Sequence, residues 1–410
     1  MASHSTVPGD TFATVATQFY GDPGGAASIA AANPGVFEPL QPGTALIVPF
    51  RPGPTPVPVP KDPNAGVAVN INGAPFKFWK QVTITKSLDS FDTFELMAPI
   101  MPENVAFRAA VKPLSYAPVQ VFNDGVLMFS GRHVTTIPQT NAKNKQVQIG
   151  GYSNPGIMQG CMLPITAYPA EFQLMDLTTI ATALCAPFGI VVEPDPTVPP
   201  KPFKRVKLKT GTPVLDFLTE LAKKRKVLIR SSPLGSLVLS GPPTPGIPVA
   251  QLTEDTPPLE AVIPVFDPDK YFTHVTVVRK TGRRTPGSQY TVPIPPALAA
   301  GVVRPLTLDD DDLEPGDLVA SAEGAAGRML AGAAVYSVRV STWKDNFGLL
   351  WEPGATVRLL APDAMCYIPS DFVINSVRFS RSSNTESAVL ELVLAGSYTG
   401  ITPVILPWDG

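Results

Sequence analysis

The residue types that most often carry chemistry are few in this chain and are not spaced to work together. The histidines are His4, His133 and His274, and the cysteines are Cys161, Cys185 and Cys366. None stands at C-x-x-C, H-x-x-x-H or H-E-x-x-H spacing, so no zinc-type site is encoded locally. An odd, sparse cysteine count fits a reducing compartment with free thiols, and Cys185, inside the apolar run 181–188, reads as core. Ser153 comes nearest to a nucleophile elbow, but in Gly151-Tyr152-Ser153-Asn154-Pro155 a proline replaces the second glycine. There is no P-loop, G-x-G-x-x-G or EF-hand pattern. A glycan hydrolase needs two carboxylates about 5–9.5 Å apart, and Glu95, Glu171 and Glu220 lie in unrelated segments. The run Asp309–Asp312 lacks the calcium-loop spacing and its closing Glu, and reads as negative charge placed before a helix start. Lys204, Arg205, Lys207, Lys209 and the run 223–226 could touch phosphate. The first four alternate with Val206 and Leu208, however, which predicts a solvated strand face. The expectation is a protein that is not an enzyme, with no catalytic residue, no cofactor and no metal.

The elements that would position any site are set by composition. Of 410 residues 48 are Pro and 32 are Gly, while 44% are hydrophobic and the net charge is -2. That much apolar content at so low a net charge argues against disorder. Proline lacks an N–H and clashes inside helices, so its abundance predicts many short strands with prolines at edges and turns. No apolar run approaches the roughly 20 residues that span a bilayer, and the N-terminus shows no signal-peptide pattern. The near-neutral charge gives no general attraction to nucleic acid or to membranes. The length suggests several domains in a soluble, strand-rich chain.

Residues 1–50 read as a small unit of strand, helix, helix, strand. Phe12, Val15, Ala16 and Phe19 form a helical face, capped by Asp10 or Thr11 and ended by Tyr20-Gly21-Asp22-Pro23. A second helix fits Ala26–Ala32, stopped by Asn33-Pro34, and a turn at Pro42-Gly43 leads into a strand from Ala45. Residues 51–65 form a Pro-rich tether, which favours an extended, semi-rigid spacer.

From Val67 the apolar period becomes two. Asn72-Gly73 and Asn123-Asp124-Gly125 are hairpin turns. Strands are expected at 67–71, continuing through Phe76 and Phe78, and at 81–86, 93–98, 119–122, 126–130, 134–138 and 146–150, giving a first β-barrel domain over 66–165. Residues 166–254 form a mixed domain. Leu174, Leu177, Ile180, Ala181 and Leu184 predict one helix, and Thr212-Pro213 is expected to cap and start a second. A hairpin turning at Pro233-Leu234-Gly235 follows. Residues 255–410 return to strands around an Ala-rich helix near 315–330. There Tyr336, Val338 and Val340 alternate with Ser337, Arg339 and Ser341, the pattern of a half-buried sheet. The fold class expected is α+β and β-dominated.

Two resemblances follow from these residues. Val7-Pro8-Gly9-Asp10-Thr11, the Phe19-Tyr20-Gly21-Asp22-Pro23 break, Ile29 with Asn33-Pro34, and Leu40-x-Pro42-Gly43-Thr44-x-Leu46-x-Val48-Pro49 resemble the LysM module. That resemblance implies a groove between Gly9, Asp10, Thr11 and Phe12 on one side and Asn33 and Pro34 on the other. In LysM modules such a groove commonly takes the N-acetylglucosamine backbone of peptidoglycan or chitin. The remainder, over about 66–396, resembles the Mu-like baseplate hub proteins of contractile-tailed bacteriophages. The features carrying it are the Pro187-Phe188-Gly189-Ile190 helix exit, the helix start Thr212-Pro213-Val214-Leu215-Asp216-Phe217-Leu218 and the closing strands. Trp343-x-Asp345-x-x-Gly348-x-Leu350-Trp351-x-Pro353-Gly354 belongs with them. That family implies two tube-like barrel domains per chain and a homotrimer forming a pseudo-sixfold ring, which adapts a sixfold tail tube to a threefold central spike. It implies as partners the spike and a tail tube or tube-initiator protein, with tape-measure protein or DNA in the lumen, in a virion assembled in the host cytoplasm. In contractile tails LysM-like modules also clamp baseplate parts, so docking to a wedge or sheath-side protein is the first expectation for residues 1–50, with no membrane insertion. The alternatives are a LysM-targeted peptidoglycan-binding protein or cell-wall hydrolase, and the hub of a related injection particle.

Overall fold

The alternation of apolar and polar residues from Val67 onward dictates a sheet, and a sheet dominates the computed structural model. It describes residues 2–20, 26–48, 66–141, 145–279, 287–310, 313–382, 385–401 and 405–409. The expected Pro-rich tether lies outside these. The chain divides into two compact units, Met1–Val59 with Lys344–Leu350, and the remainder.

In the first unit β1 (Ala2–Ser5) pairs antiparallel with β2 (Ala45–Val48). Between them lie α1 (Phe12–Tyr20) and α2 (Ala26–Ala32), the predicted element order. Phe12, Val15, Ala16, Ile29, Leu40 and Leu46 form its core. The loop 344–350 is closed on itself by the Asp345 carboxylate, which accepts the N–H groups of Phe347 and Leu349 at 2.9 Å each.

The second unit opens with β3 (Val67–Ile71), β4 (Gln81–Ser87), β5 (Thr93–Pro99), β6 (Pro118–Asn123), β7 (Val126–Thr140) and β8 (Lys145–Ser153). Asn72 and Gly73 both have positive φ, as do Asp124 and Gly125, the conformation that a two-residue hairpin turn of matching twist requires. Two expectations change. Phe76 and Phe78 do not extend a strand; Phe76 turns inward and packs edge-on against Phe78 at 5.4 Å and beside Phe107 at 6.3 Å. The strands expected at 126–130 and 134–138 are one, because a bulge lets β7 bend without ending.

Residues 171–240 hold a two-stranded pair (Glu171–Met175 with Phe203–Lys207), a three-stranded sheet and two helices, α3 (Leu177–Cys185) and α4 (Val214–Lys224). Leu174 is not on α3. It sits in the preceding strand at φ 53, 75% exposed, and Asp176 caps the helix by accepting the Thr179 N–H at 2.7 Å. Pro213 itself takes the cap position of α4, and no side-chain cap bond from Thr212 forms. Gly189 ends the α3 exit in the left-handed region, as Pro187-Phe188-Gly189 predicts.

The sheet resumes with β9 (Ala250–Thr253), β10 (Leu259–Phe266), β11 (Ala334–Val340), β12 (Thr356–Ala361), β13 (Cys366–Ser382) and β14 (Glu386–Leu394). A small sheet (His274–Val278, Gln289–Pro293, Pro305–Asp309) and α5 (Leu318–Ala333) are inserted between β10 and β11. The two sets of strands repeat one another. The first runs β4-β5-β8-β7-β6-β3 across the sheet and the second β10-β11-β14-β13-β12-β9. Their registers agree in detail. β7 and β8 pair at Gly131, Arg132 and His133, slip by one residue at Val134, then pair from Thr135 to Thr140. β13 and β14 pair at Phe372, Val373 and Ile374, slip at Asn375, then pair from Ser376 to Arg381. They differ at the rim, where β3 is antiparallel to β6 but β9 is parallel to β12. The expected two barrels are thus two like six-strand sets which, with the short strand Ala74–Pro75 beside β3, join into one thirteen-stranded sheet, with no closing pair among the described residues.

Candidate functional site

Of the six residues expected to line the N-terminal groove, Gly9 and Pro34 are exposed, Asp10 and Thr11 half-buried, and Phe12 and Asn33 buried. Thr11 is the cap of α1: its Oγ1 accepts the Thr14 N–H at 3.1 Å, and Thr14 Oγ1 accepts the Thr11 N–H at 2.8 Å. Asp10 does not cap. Its Oδ2 lies 2.8 Å from His4 Nε2 and accepts the Val7 N–H at 2.9 Å. The His4 bond, then the Val7 bond, hold its carboxyl below the usual range. Glu38 ties the two loops, accepting the Phe12 N–H at 2.6 Å. Asn33 donates Nδ2–H to the Ile29 carbonyl at 2.7 Å. The polar atoms bonded here hold the loops in shape, while Phe37 is a large apolar side chain left 79% exposed.

Three of the four cations in the basic run 223–226 are held in ion pairs within the fold. Lys204, Arg205 and Lys207 are exposed, but Lys224 and Arg225 are buried. Arg225 Nε lies 3.4 Å from Asp317 Oδ2, Lys201 Nζ lies 2.5 Å from Asp317 Oδ1, and the Arg225 guanidinium stacks on the Phe203 ring at 3.3 Å. Its remaining donors reach the Lys201 and Pro202 carbonyls. Lys224 pairs with Asp310 at 3.2 Å and Lys226 with Glu323 at 2.7 Å. These cations lock α4 to the start of α5 and to Asp310, inside the fold rather than on a ligand. No sequence pattern marks that role, because the anions stand about a hundred residues away.

A second polar junction sits where the strand sets meet. Lys86 Nζ, on buried β4, lies 2.7 Å from Glu352 Oε1. Asp92 donates its N–H to Ser231 Oγ at 3.3 Å, its carbonyl accepts the Ser153 N–H at 2.8 Å, and Ser153 and Ser231 share a 2.5 Å hydroxyl contact. Burial pushes the Asp92 carboxyl up to about 7, opposed chiefly by Lys86. Between pH about 4 and 7 the folded chain therefore holds a proton that the unfolded chain has released, so this group costs stability progressively as pH rises through that window. Asp92→Asn is expected to raise the melting temperature at pH 8, by a gain of roughly 2–4 kcal/mol, and to change it little at pH 4. Thermal melts at the two pH values check this; an equal shift at both would contradict it.

Cys185 and Cys366 are buried, and burial pushes the Cys185 thiol up to about 12, a core thiol rather than a nucleophile. Among the described residues no group of three or more His, Cys, Asp or Glu could hold a metal ion, and no helix is long and apolar enough to cross a membrane.

Two strand edges also remain exposed. In the first set β4 is largely buried because β13 covers it: Ser376–Ser382 pair with Gln81–Ser87. The strand at the same position in the second set, β10, has no strand on its outer edge among the described residues, and most of it is exposed. The second half of β7, at the position of the covered half of β13, is likewise open and exposed.

This fold is that of phage tail proteins. The chain is similar to the 43 kDa tail protein of prophage MuSo2 from Shewanella oneidensis (TM-score 0.68, 21% identity, 81% of this chain and 98% of that one). It is similar also to a tail protein from Neisseria meningitidis MC58 (0.67, 20%, 82% and 99%) and to prophage tail protein gp18 of Listeria monocytogenes EGD-e (0.52, 12%, 80% and 94%). Residues 160–241 match the second domain of the baseplate hub protein gp44-like family. The match over residues 160–241 and the shared fold both agree with the resemblance read from the sequence. No curated protein matches the chain.

Proposed function

We propose that the chain is the structural hub of a contractile tail baseplate. Three copies form a pseudo-sixfold ring that adapts the sixfold tube to the threefold spike. The observation that carries this reading is the duplicated strand set: three chains present six like sets, so one ring meets both symmetries without changing sequence. Its partners are the central spike, a tail tube or tube-initiator protein, and tape-measure protein in the lumen, within the virion. Native mass spectrometry of the purified chain tests it, with three chains per particle expected and a monomer at every accessible concentration contradicting it.

Residues 1–50 act as a docking block for a wedge or sheath-side protein. Asp10 Oδ2, Asn33 Nδ2 and Glu38 Oε1 are spent on the loops themselves, and exposed Phe37 suits an apolar protein surface better than a sugar's polar rim. The full chain is expected to remain in the supernatant over insoluble peptidoglycan. Retention that is lost in Phe37→Ala or Asp10→Ala would favour the glycan-binding reading.

A further inference from the structure

The covered contact between β13 and β4 has an uncovered counterpart, and the shared register of the two strand sets says which residues complete it. We propose that the second half of β7 (Thr135–Thr140) pairs antiparallel with β10 (Val262–Asp267 side) of a second copy of this chain, with Ile137 directly opposite Val265. This rests on the hub reading above and names the surface through which its ring closes.

The register follows residue by residue. The slip at Val134 matches that at Asn375, so Ile137 stands where Arg378 stands. β5 and β11 both pair one strand further out, with Thr93 beside Tyr152 and Val335 beside Val393, which sets Thr85 of β4 at the position of Val265 of β10. Within one chain Arg378 pairs with Thr85. Between chains the same relation pairs Ile137 with Val265, Gln139 with Ile263 and Thr136 with Phe266.

The side chains at these positions differ from their covered counterparts in a telling way. Ile137 is 44% exposed, Ile263 62% and Val265 56%, and directly opposed residues of an antiparallel pair share a face and touch. Apolar side chains left in water on an edge strand invite aggregation, and this register buries them against each other. Pro138 faces Pro264, so that rung has no N–H from either side. The prolines make each edge a poor template for foreign strands, and recognition falls to the flanking rungs and to the Ile137–Val265 contact. The contact is head-to-tail, since one copy gives β7 and the other β10. It therefore generates a ring when the rotation closes.

The test uses the full chain in a Cys161→Ser background. In Ile137→Cys with Val265→Cys, directly opposed Cα atoms fall in disulfide range, and mild oxidation is expected to give covalent trimers on a non-reducing gel, with neither single variant cross-linking. Val265→Lys, at an exposed position, is expected to weaken self-association at least about tenfold without moving the unfolding midpoint of the dissociated chain. A wild-type trimer whose cysteine pair does not cross-link, or whose assembly is unchanged in Val265→Lys, overturns the pairing and leaves the ring standing. A wild-type monomer overturns both.

Discussion

Truncating Asp317 to alanine is expected to remove about 3–5 kcal/mol of stability, read as a fall in the denaturant midpoint at unchanged slope. Asp317 is 2% exposed and Arg225 3%, and the carboxylate is the only anion in direct contact with the Arg225 guanidinium among the described ion pairs. Without it a guanidinium remains buried, still bonded to two carbonyls and stacked on Phe203 but with its charge uncompensated. Lys201, 40% exposed at its side chain, can turn to water, so the cost falls on Arg225. Arg225→Met in the Asp317→Ala background should therefore recover a good part of the loss, because the charge leaves with its partner. A single Asp317→Ala variant of wild-type stability would mean that the junction between α4 and α5 does not depend on this pair.

The second large effect is expected at Trp343. Its ring is buried and packs on Phe379 with centroids 5.2 Å apart, while Nε1–H is within bonding distance of the Ser387 carbonyl at 2.9 Å and the Ser380 carbonyl at 3.3 Å. Those carbonyls belong to β14 and β13, so one side chain ties the ends of the hairpin that carries β4. Trp343→Ala should cost about 3–5 kcal/mol. Trp343→Phe keeps most of the ring but loses the donor and should cost nearer 1–3 kcal/mol. Chemical denaturation of the pair separates packing from hydrogen bonding, and equal losses would assign the effect to the bond.

How far the sequence could be read depends on whether the cause is local. Tyr336, Val338 and Val340 alternate with polar neighbours, and they lie buried on β11. Leu177, Ile180, Ala181 and Leu184 repeat at helical spacing, and they form the buried face of α3. Leu174 fits that spacing equally well, but the chain turns through a positive φ there, which the apolar period does not encode. Arg225 reads as one member of a basic run until Asp317, 92 residues later, is brought beside it. The duplicated sheet was legible least of all. Gly131-Arg132-His133-Val134 and Phe372-Val373-Ile374-Asn375 match at no aligned position, and their likeness lies in a one-residue slip of pairing. In the N-terminal unit the capping choice was open between Asp10 and Thr11, and it was decided by His4 reaching Asp10 across the strand.

The central claim, a three-chain ring of six like strand sets, is tested most directly by projection images of the purified full-length chain. The account predicts a closed ring with six similar lobes, threefold in strict symmetry, and a continuous wall. Isolated single chains, or a ring whose lobes do not number six, would contradict it.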